Sequence, residues 1–238
     1  MRLKLTLEYD GTGFHGWATQ PGLRTVEGEI RAALASLYRS VENLAVAGRT
    51  DAGVHALANV VSVDVQGGPP PDRTPGALNT VLPEDVAVVA AEEAAWDFHA
   101  RHSARARSYR YRLYRRAERS PFEANRSWWY PWPLEQGALD ASARVLVGEH
   151  DFRAFTPAET QHEVFLRVVE SAAWHDRGDH LDFEITANSF LRHMVRTLVG
   201  TMLEQGPEQF GPLLEGGPRA DAGTTAPPWG LYLVGIRY

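Results

Sequence analysis

Leu44 to Val65 reads LAVAGRTDAGVHALANVVSVDV and sets two strand-like runs around a loop crowded with reactive side chains. The first run is apolar (Leu44, Ala45, Val46) and the second is β-branched (Val60, Val61, Val63, Val65). Between them, Arg49, Thr50, Asp51 and His55 stand close together beside Gly48 and Gly53. Charge held between two strands predicts a loop that presents a carboxylate at the edge of a sheet. Glycine there permits a positive φ or a close approach of backbone to a ligand. Read alone, the loop favours Asp51 as an Asx-turn residue.

Working outward, Arg2 to Tyr9 alternates, with Leu3, Leu5, Leu7 and Tyr9 on one face, and predicts a strand. A helical spacing of Ile30, Leu34, Leu37 and Val41 begins near Thr25. After the second strand-like run, Gln66 to Asp72 is a turn-rich break. A short helix around Pro75 to Val81 and a strand from about Asp85 to Ala90 follow. The order is β-α-β-β-α-β, a split βαβ unit with an antiparallel sheet and helices on one side. Gly11, Gly13 and Gly16 in GTGFHG match a dinucleotide fingerprint, but Pro21 and Gly22 interrupt where a helix should open. The favoured reading is a glycine-rich surface loop with Trp17 packed beneath it.

The second half repeats the pattern. Ser108 to Arg116, SYRYRLYRR, alternates with Tyr109, Tyr111 and Leu113 on one face and Arg110, Arg112 and Tyr114 on the other. Such a strand suits ordinary packing, and it equally suits a nucleic-acid platform of arginines and aromatic rings. Pro121 to Pro133 reads as an irregular packed segment, and Leu134 to Val147 as a helix ended by Gly148. Arg167 to His175 and Leu181 to Ala187 read as strands joined by a turn. Asn188 is placed to cap a helix running to about Leu203, with Arg192 and Arg196 sharing a face at i, i+4. A polar loop, Gly206 to Pro228, precedes a last strand, Gly230 to Tyr238. The expected fold is α+β: two tandem split-βαβ, ferredoxin-like units, residues 1–99 and 100–238, forming a mostly antiparallel sheet with an active-site cleft between the units.

Composition narrows the chemistry. The chain of 238 residues is 44% hydrophobic and 23% charged, as globular proteins are. It contains no cysteine, which excludes disulfides, thiolate nucleophiles and Cys-ligated metals. No apolar run approaches the ~18 residues of a membrane span, and the N-terminus lacks a secretory apolar core. A cytoplasmic location is expected. The net charge is -6, yet eight arginines lie between Arg101 and Arg119, opposed within that stretch by Glu118 alone. A basic stripe on an acidic protein predicts a focused anion site. No histidine spacing matches a zinc motif; a Ser/His/Asp triad stays open on sequence, though no nucleophile elbow is present. A third arrangement remains: a carboxylate held by an arginine, with an aromatic ring to seat a planar substrate, which Asp51, Arg196 and Tyr109 would supply.

Four segments in order carry a resemblance: YDGTGFHGW, AGRTDAGVHA, DFHARHSARARSYRYRLY, and NSFLRHMVRTLVG followed by GLYLVGIRY. Together they closely resemble the TruA family of tRNA pseudouridine synthases, from Glu8 to Tyr238. The resemblance implies that Asp51 is the catalytic carboxylate and Tyr109 the active-site tyrosine that stacks on uracil. It implies that Arg196 salt-bridges Asp51, that Leu231 packs near the target base, and that Arg49 helps hold the turned-out nucleotide. Arg110 and Arg112 would bind RNA from the basic strand. The implied reaction isomerises uridine to pseudouridine in the tRNA anticodon stem-loop, at about positions 38 to 40, without metal or cofactor, by a homodimer. A non-catalytic tRNA-binding module is the alternative. Trp17-Ala18-Thr19-Gln20, Phe165-Leu166-Arg167 and the stretch near Gly216 to Gly223 match the family loosely.

Overall fold

A computed structural model describes every residue except Gln161. The chain folds as two compact units, Met1–Arg105 with Tyr232–Tyr238, and Ala106–Leu231. Both are mixed α+β with mostly antiparallel strands.

The first unit has the predicted order: β1 (Arg2–Tyr9), α1 (Val26–Leu37), β2 (Ser40–Val46), β3 (His55–Gln66), α2 (Thr74–Asn79) and β4 (Val86–Ala94). β1 lies between β3 and β4, and β2 flanks β3, all antiparallel. Leu3, Leu5, Leu7 and Tyr9 are buried, as the alternation of β1 requires. Thr25 caps α1 by accepting a hydrogen bond from the Gly28 N–H, and Ile30 and Leu34 bury its inner stripe. The helix ends at Leu37, so Val41 belongs to β2 and not to the helical stripe. β3 begins at His55, earlier than the β-branched run implies, which shortens the charged loop.

The last strand, β10 (Leu231–Arg237), returns to this first unit. Tyr232 and Leu233 run parallel to His55 and Ala56 of β3. A division at residue 99 assigns that strand to the second unit, because local patterning carries no signal for a pairing so distant in sequence.

The second unit holds β5 (Ala106–Tyr114), β6 (Trp128–Trp129), α3 (Gln136–Val145), β7 (Gly148–Asp151), β8 (Leu166–Asp176), β9 (His180–Ala187), α4 (Met194–Glu204) and α5 (Phe210–Leu214). Its sheet runs β5-β9-β8-β7, with β6 parallel to β5. The Pro121 to Pro133 stretch thus contributes a short strand, and β7 occupies a position read from sequence as a helix end. The polar loop expected from Gly206 contains α5, whose Phe210 is fully buried and stacks on Phe155 at 5.9 Å. Among the described residues, no helix is long and apolar enough to cross a membrane.

Candidate active site

In the first unit, the loop Ala47–Val54 joins β2 to β3, and its alternate residues face opposite ways. Thr50 is buried, Arg49 is exposed, and Asp51 is half-buried. Three side chains and one backbone amide hold the buried side. The Tyr9 hydroxyl lies 2.8 Å from Thr50 Oγ1. Asn59, fully buried on β3, donates from Nδ2 to Gly48 O at 2.8 Å and to the Tyr9 hydroxyl at 3.1 Å. The Trp17 N–H donates to Thr50 O at 3.0 Å. Beyond Asp51, the Val54 N–H closes a turn onto Asp51 O at 3.1 Å, and the Gly53 N–H donates to Phe14 O at 3.3 Å. Gly53 has φ +77, the left-handed conformation that favours glycine in such a turn. Asp51 therefore opens a turn, and it stays half-buried there. Burial pushes the Tyr9 phenol up to about 12, so its hydroxyl stays protonated as a donor.

The glycine-rich segment Gly11–Gly16 supports this loop. A Cβ on Gly11 would meet Val54 O at 2.1 Å. One on Gly16, at φ +90, would meet Thr50 O at 2.9 Å and Ala52 N at 3.2 Å. Gly11 and Gly16 of the fingerprint-like set are thus close-approach points for the charged loop, while Gly13 faces Arg24 and Asp85. A surface loop alone does not describe them, although Trp17 is buried as expected. His55 completes the contact. Its Nδ1 accepts from the Gly11 N–H at 3.0 Å and lies 3.2 Å from Asp10 Oδ1, and its ring stacks on Tyr232 at 4.6 Å.

In the second unit, Tyr109 sits on β5 opposite Ile185 of β9, buried, with Phe190 edge-on at 4.9 Å. Arg110 and Arg112 lie on the opposite face of β5. There Arg110 Nε donates to Glu184 Oε1 at 3.0 Å, and Arg112 makes a two-pronged contact with Asp182 at 3.0 and 3.2 Å. Asp182 is only 2% exposed, so Arg112 neutralises a buried carboxylate. The basic strand is therefore less naked than its own sequence implies, because β9 brings two acids against it.

Arg196 is the half-buried member of α4 among largely buried neighbours. Its Nε donates to Ala226 O at 2.7 Å, and the Ala226 N–H returns to Arg196 O at 3.1 Å. The segment Gly223–Pro227 lies so close to α4 that a Cβ on Gly200 would meet Thr224 O at 1.8 Å. Tyr111 holds the next residue, its hydroxyl donating to Pro227 O at 2.8 Å. Burial raises the Tyr111 pKa, opposed by the charge of Arg196. Gly230 passes over the Tyr111 ring, where a Cβ would fall 2.7 Å from Cζ, and so places buried Leu231. Arg196, Tyr111 and Leu231 are thus linked through one short stretch of chain.

Two expectations for this helix fail. α4 starts at Met194, after His193 in the left-handed region at φ 61. Arg192 therefore precedes the helix and does not pair with Arg196 at i, i+4. Asn188 does not cap it; its Oδ1 accepts from Val168 N at 3.1 Å and Ser189 N at 2.7 Å, extending the contact of β9 with β8. Sequence reasoning also passed over Tyr9 and Asn59. The available signal was a lone asparagine at the head of the β-branched run, opposite the last apolar positions of β1. Among the described residues, no cluster of three His, Cys, Asp or Glu side chains could hold a metal ion.

A family model described as tRNA pseudouridine synthase matches residues 6–103 and 142–238. Those stretches contain Arg49, Asp51, Arg196 and Leu231, while Tyr109, Arg110 and Arg112 lie between them. The chain is 39% identical over 239 residues to tRNA pseudouridine synthase A of Caldicellulosiruptor bescii, with 98% of each chain covered. It is 42% identical over 243 residues to the protein of that name in Moorella thermoacetica, with 99% of each covered. For Bacillus subtilis the identity is 40% over 245 residues, covering 100% of this chain and 99% of the relative. Among solved structures, a chain of a Cbf5-Nop10-Gar1 complex aligns at TM-score 0.44 and 13% identity, over 97% of this chain and 48% of that one.

Proposed function

The chain belongs to the tRNA pseudouridine synthase family, and from that premise we propose that it acts in the anticodon stem-loop, at about positions 38 to 40, with Asp51 as its essential carboxylate. As a pseudouridine synthase it is an isomerase acting on tRNA. The C1′–N1 bond of uridine breaks, a C1′–C5 bond forms, and the C5 proton is lost while N1 gains one. The change is neither a redox step nor a transfer to a second molecule, so a carboxylate and a proton acceptor suffice. The observation that carries the assignment is the half-exposed Asp51 on a loop whose other side is fixed by buried hydrogen bonds. A fixed carboxylate meets the anomeric carbon or a sugar proton without reorganising.

The remaining roles belong to the same proposal. Tyr109 stacks on the uracil and takes part in the C5 proton transfer. Arg196 orients the carboxylate of Asp51. Arg49, exposed beside Asp51, holds the extruded nucleotide, and Leu231 packs against its base. Arg110 and Arg112 contribute to phosphate binding, a share reduced by their ion pairs with Glu184 and Asp182. The working form is a homodimer, tested by sedimentation of the protein alone and with tRNA.

Tritium release from tRNA labelled at uracil C5 tests the carboxylate. Wild type releases tritium, and Asp51→Asn, which keeps shape and loses charge, releases none above background. Full activity of Asp51→Asn removes the assignment. Arg196→Ala loses turnover while tRNA affinity stays within about twofold; lost affinity with normal turnover reassigns it to phosphate binding.

A further inference from the structure

We propose that Tyr9, Thr50 and Asn59 form a buried positioning network that sets the aim of the Asp51 carboxylate; this rests on the reading of Asp51 above. The directions of the hydrogen bonds that Asn59 makes follow from chemistry. An amide nitrogen only donates, so both Asn59 Nδ2 hydrogens are committed, one to Gly48 O and one to the Tyr9 oxygen. The Tyr9 oxygen therefore accepts from Asn59, and Tyr9 and Thr50 share a hydroxyl–hydroxyl hydrogen bond in which either can donate. Asn59 Oδ1 accepts from the Val60 N–H at 2.9 Å, so both ends of the amide are engaged and it cannot flip without facing Gly48 O with an oxygen.

The consequence is local. Gly48 and Thr50 flank Arg49, and Thr50 precedes Asp51. Both are tied to groups buried at 3% or less, on β1 and β3. The Trp17 N–H fixes the carbonyl of Thr50, which is the peptide that leads into Asp51. A loop held at alternate residues from below has little freedom to rotate the side chains that point above. Nothing in the network itself faces solvent or titrates at neutral pH. These are positioning residues that act on the reaction only through the orientation of Asp51.

A matched pair of variants separates positioning from stability. Tyr38 in the same unit is also buried, and its hydroxyl also meets a threonine, Thr74, at 2.7 Å. Tyr9→Phe and Tyr38→Phe each delete one such hydroxyl and should lower the melting temperature by similar amounts. Single-turnover pseudouridine formation should fall about ten- to a hundredfold in Tyr9→Phe, with tRNA affinity within about twofold, and stay at the wild-type rate in Tyr38→Phe. Thr50→Val should reproduce the slow rate, and Thr50→Ser, which keeps the hydroxyl, should recover most of it. A wild-type rate in folded Tyr9→Phe and Thr50→Val overturns the proposal, as does equal slowing in Tyr38→Phe. Activity retained in Asp51→Asn overturns the underlying reading instead. If Asp51→Asn is inactive while Tyr9→Phe turns over normally, only the positioning role falls.

Discussion

The loop around Asp51 and the segment Gly223–Pro227 are both irregular chain laid tightly on regular elements, yet different forces hold them. Neutral groups fix the loop: a tyrosine, a threonine, an asparagine and backbone amides. Charged groups dominate the segment. Arg196 reaches Ala226 O, Arg219 reaches Ala222 O, Gly223 O and Thr225 Oγ1, and Glu204 accepts from Thr224. Both use glycine where no side chain fits, Gly11 and Gly16 in one case and Gly200 in the other. A neutral, buried clamp keeps its geometry across salt and across the pH range below the titration of Tyr9. A clamp that leans on charged groups is open to screening by salt.

Glycine substitutions break both clamps and carry the largest expected effects. Gly200→Ala drives a methyl into Thr224 O, and Gly11→Ala drives one into Val54 O. Backbone cannot yield as a flexible side chain does, so each should cost about 3 kcal/mol or more, read by urea denaturation. Among folded molecules, Gly11→Ala should also lose turnover, because the atom it displaces belongs to the Asp51 turn. Arg112→Ala comes next. It strips the two-pronged partner from buried Asp182 and should cost about 3 kcal/mol. If Arg112 also binds phosphate, the salt dependence of tRNA binding should weaken by about one unit of slope.

Alkaline titration sharpens the contrast. Tyr9 has its pKa raised from 10.0 to about 12 on folding, so its stabilising share is complete below pH 10 and fades as pH rises toward 12. Tyr9→Phe should flatten that part of the stability curve without changing the acid limb. The smallest effect belongs to the charged clamp. Glu204 is exposed, and Glu204→Gln should change stability by less than about 1 kcal/mol. Salt up to about 0.5 M should diminish even that, whereas it should not alter Tyr9→Phe.

How much of this was legible in the sequence depended on range. The order β1 to β4 with its two helices is written in local alternation and turn residues, and it stands in the structure. The start of α4 was misread because Leu191 and Val195 continue a helical spacing back through residues held otherwise. Asn188 spends its side chain on β8, and His193 takes a left-handed conformation that breaks the helix. The acids that meet Arg110 and Arg112 stand some seventy residues away, so the strand looked more basic than it is. Tyr9 and Asn59 were legible as buried strand positions, but their polar contacts were not, because the groups they meet stand some forty to fifty residues away. Asp51 stood out because its loop concentrates charge and glycine between two apolar runs. The roles of Tyr109 and Arg196 are implied by the resemblance to the family and are part of the proposal.

The most direct test of the central claim is mass-label mapping of pseudouridine in tRNA incubated with the pure protein and with Asp51→Asn. New pseudouridine at positions 38 to 40 with wild type, and none with Asp51→Asn, is the predicted result. Modification confined to other positions, no modification by wild type, or equal modification by Asp51→Asn would contradict it.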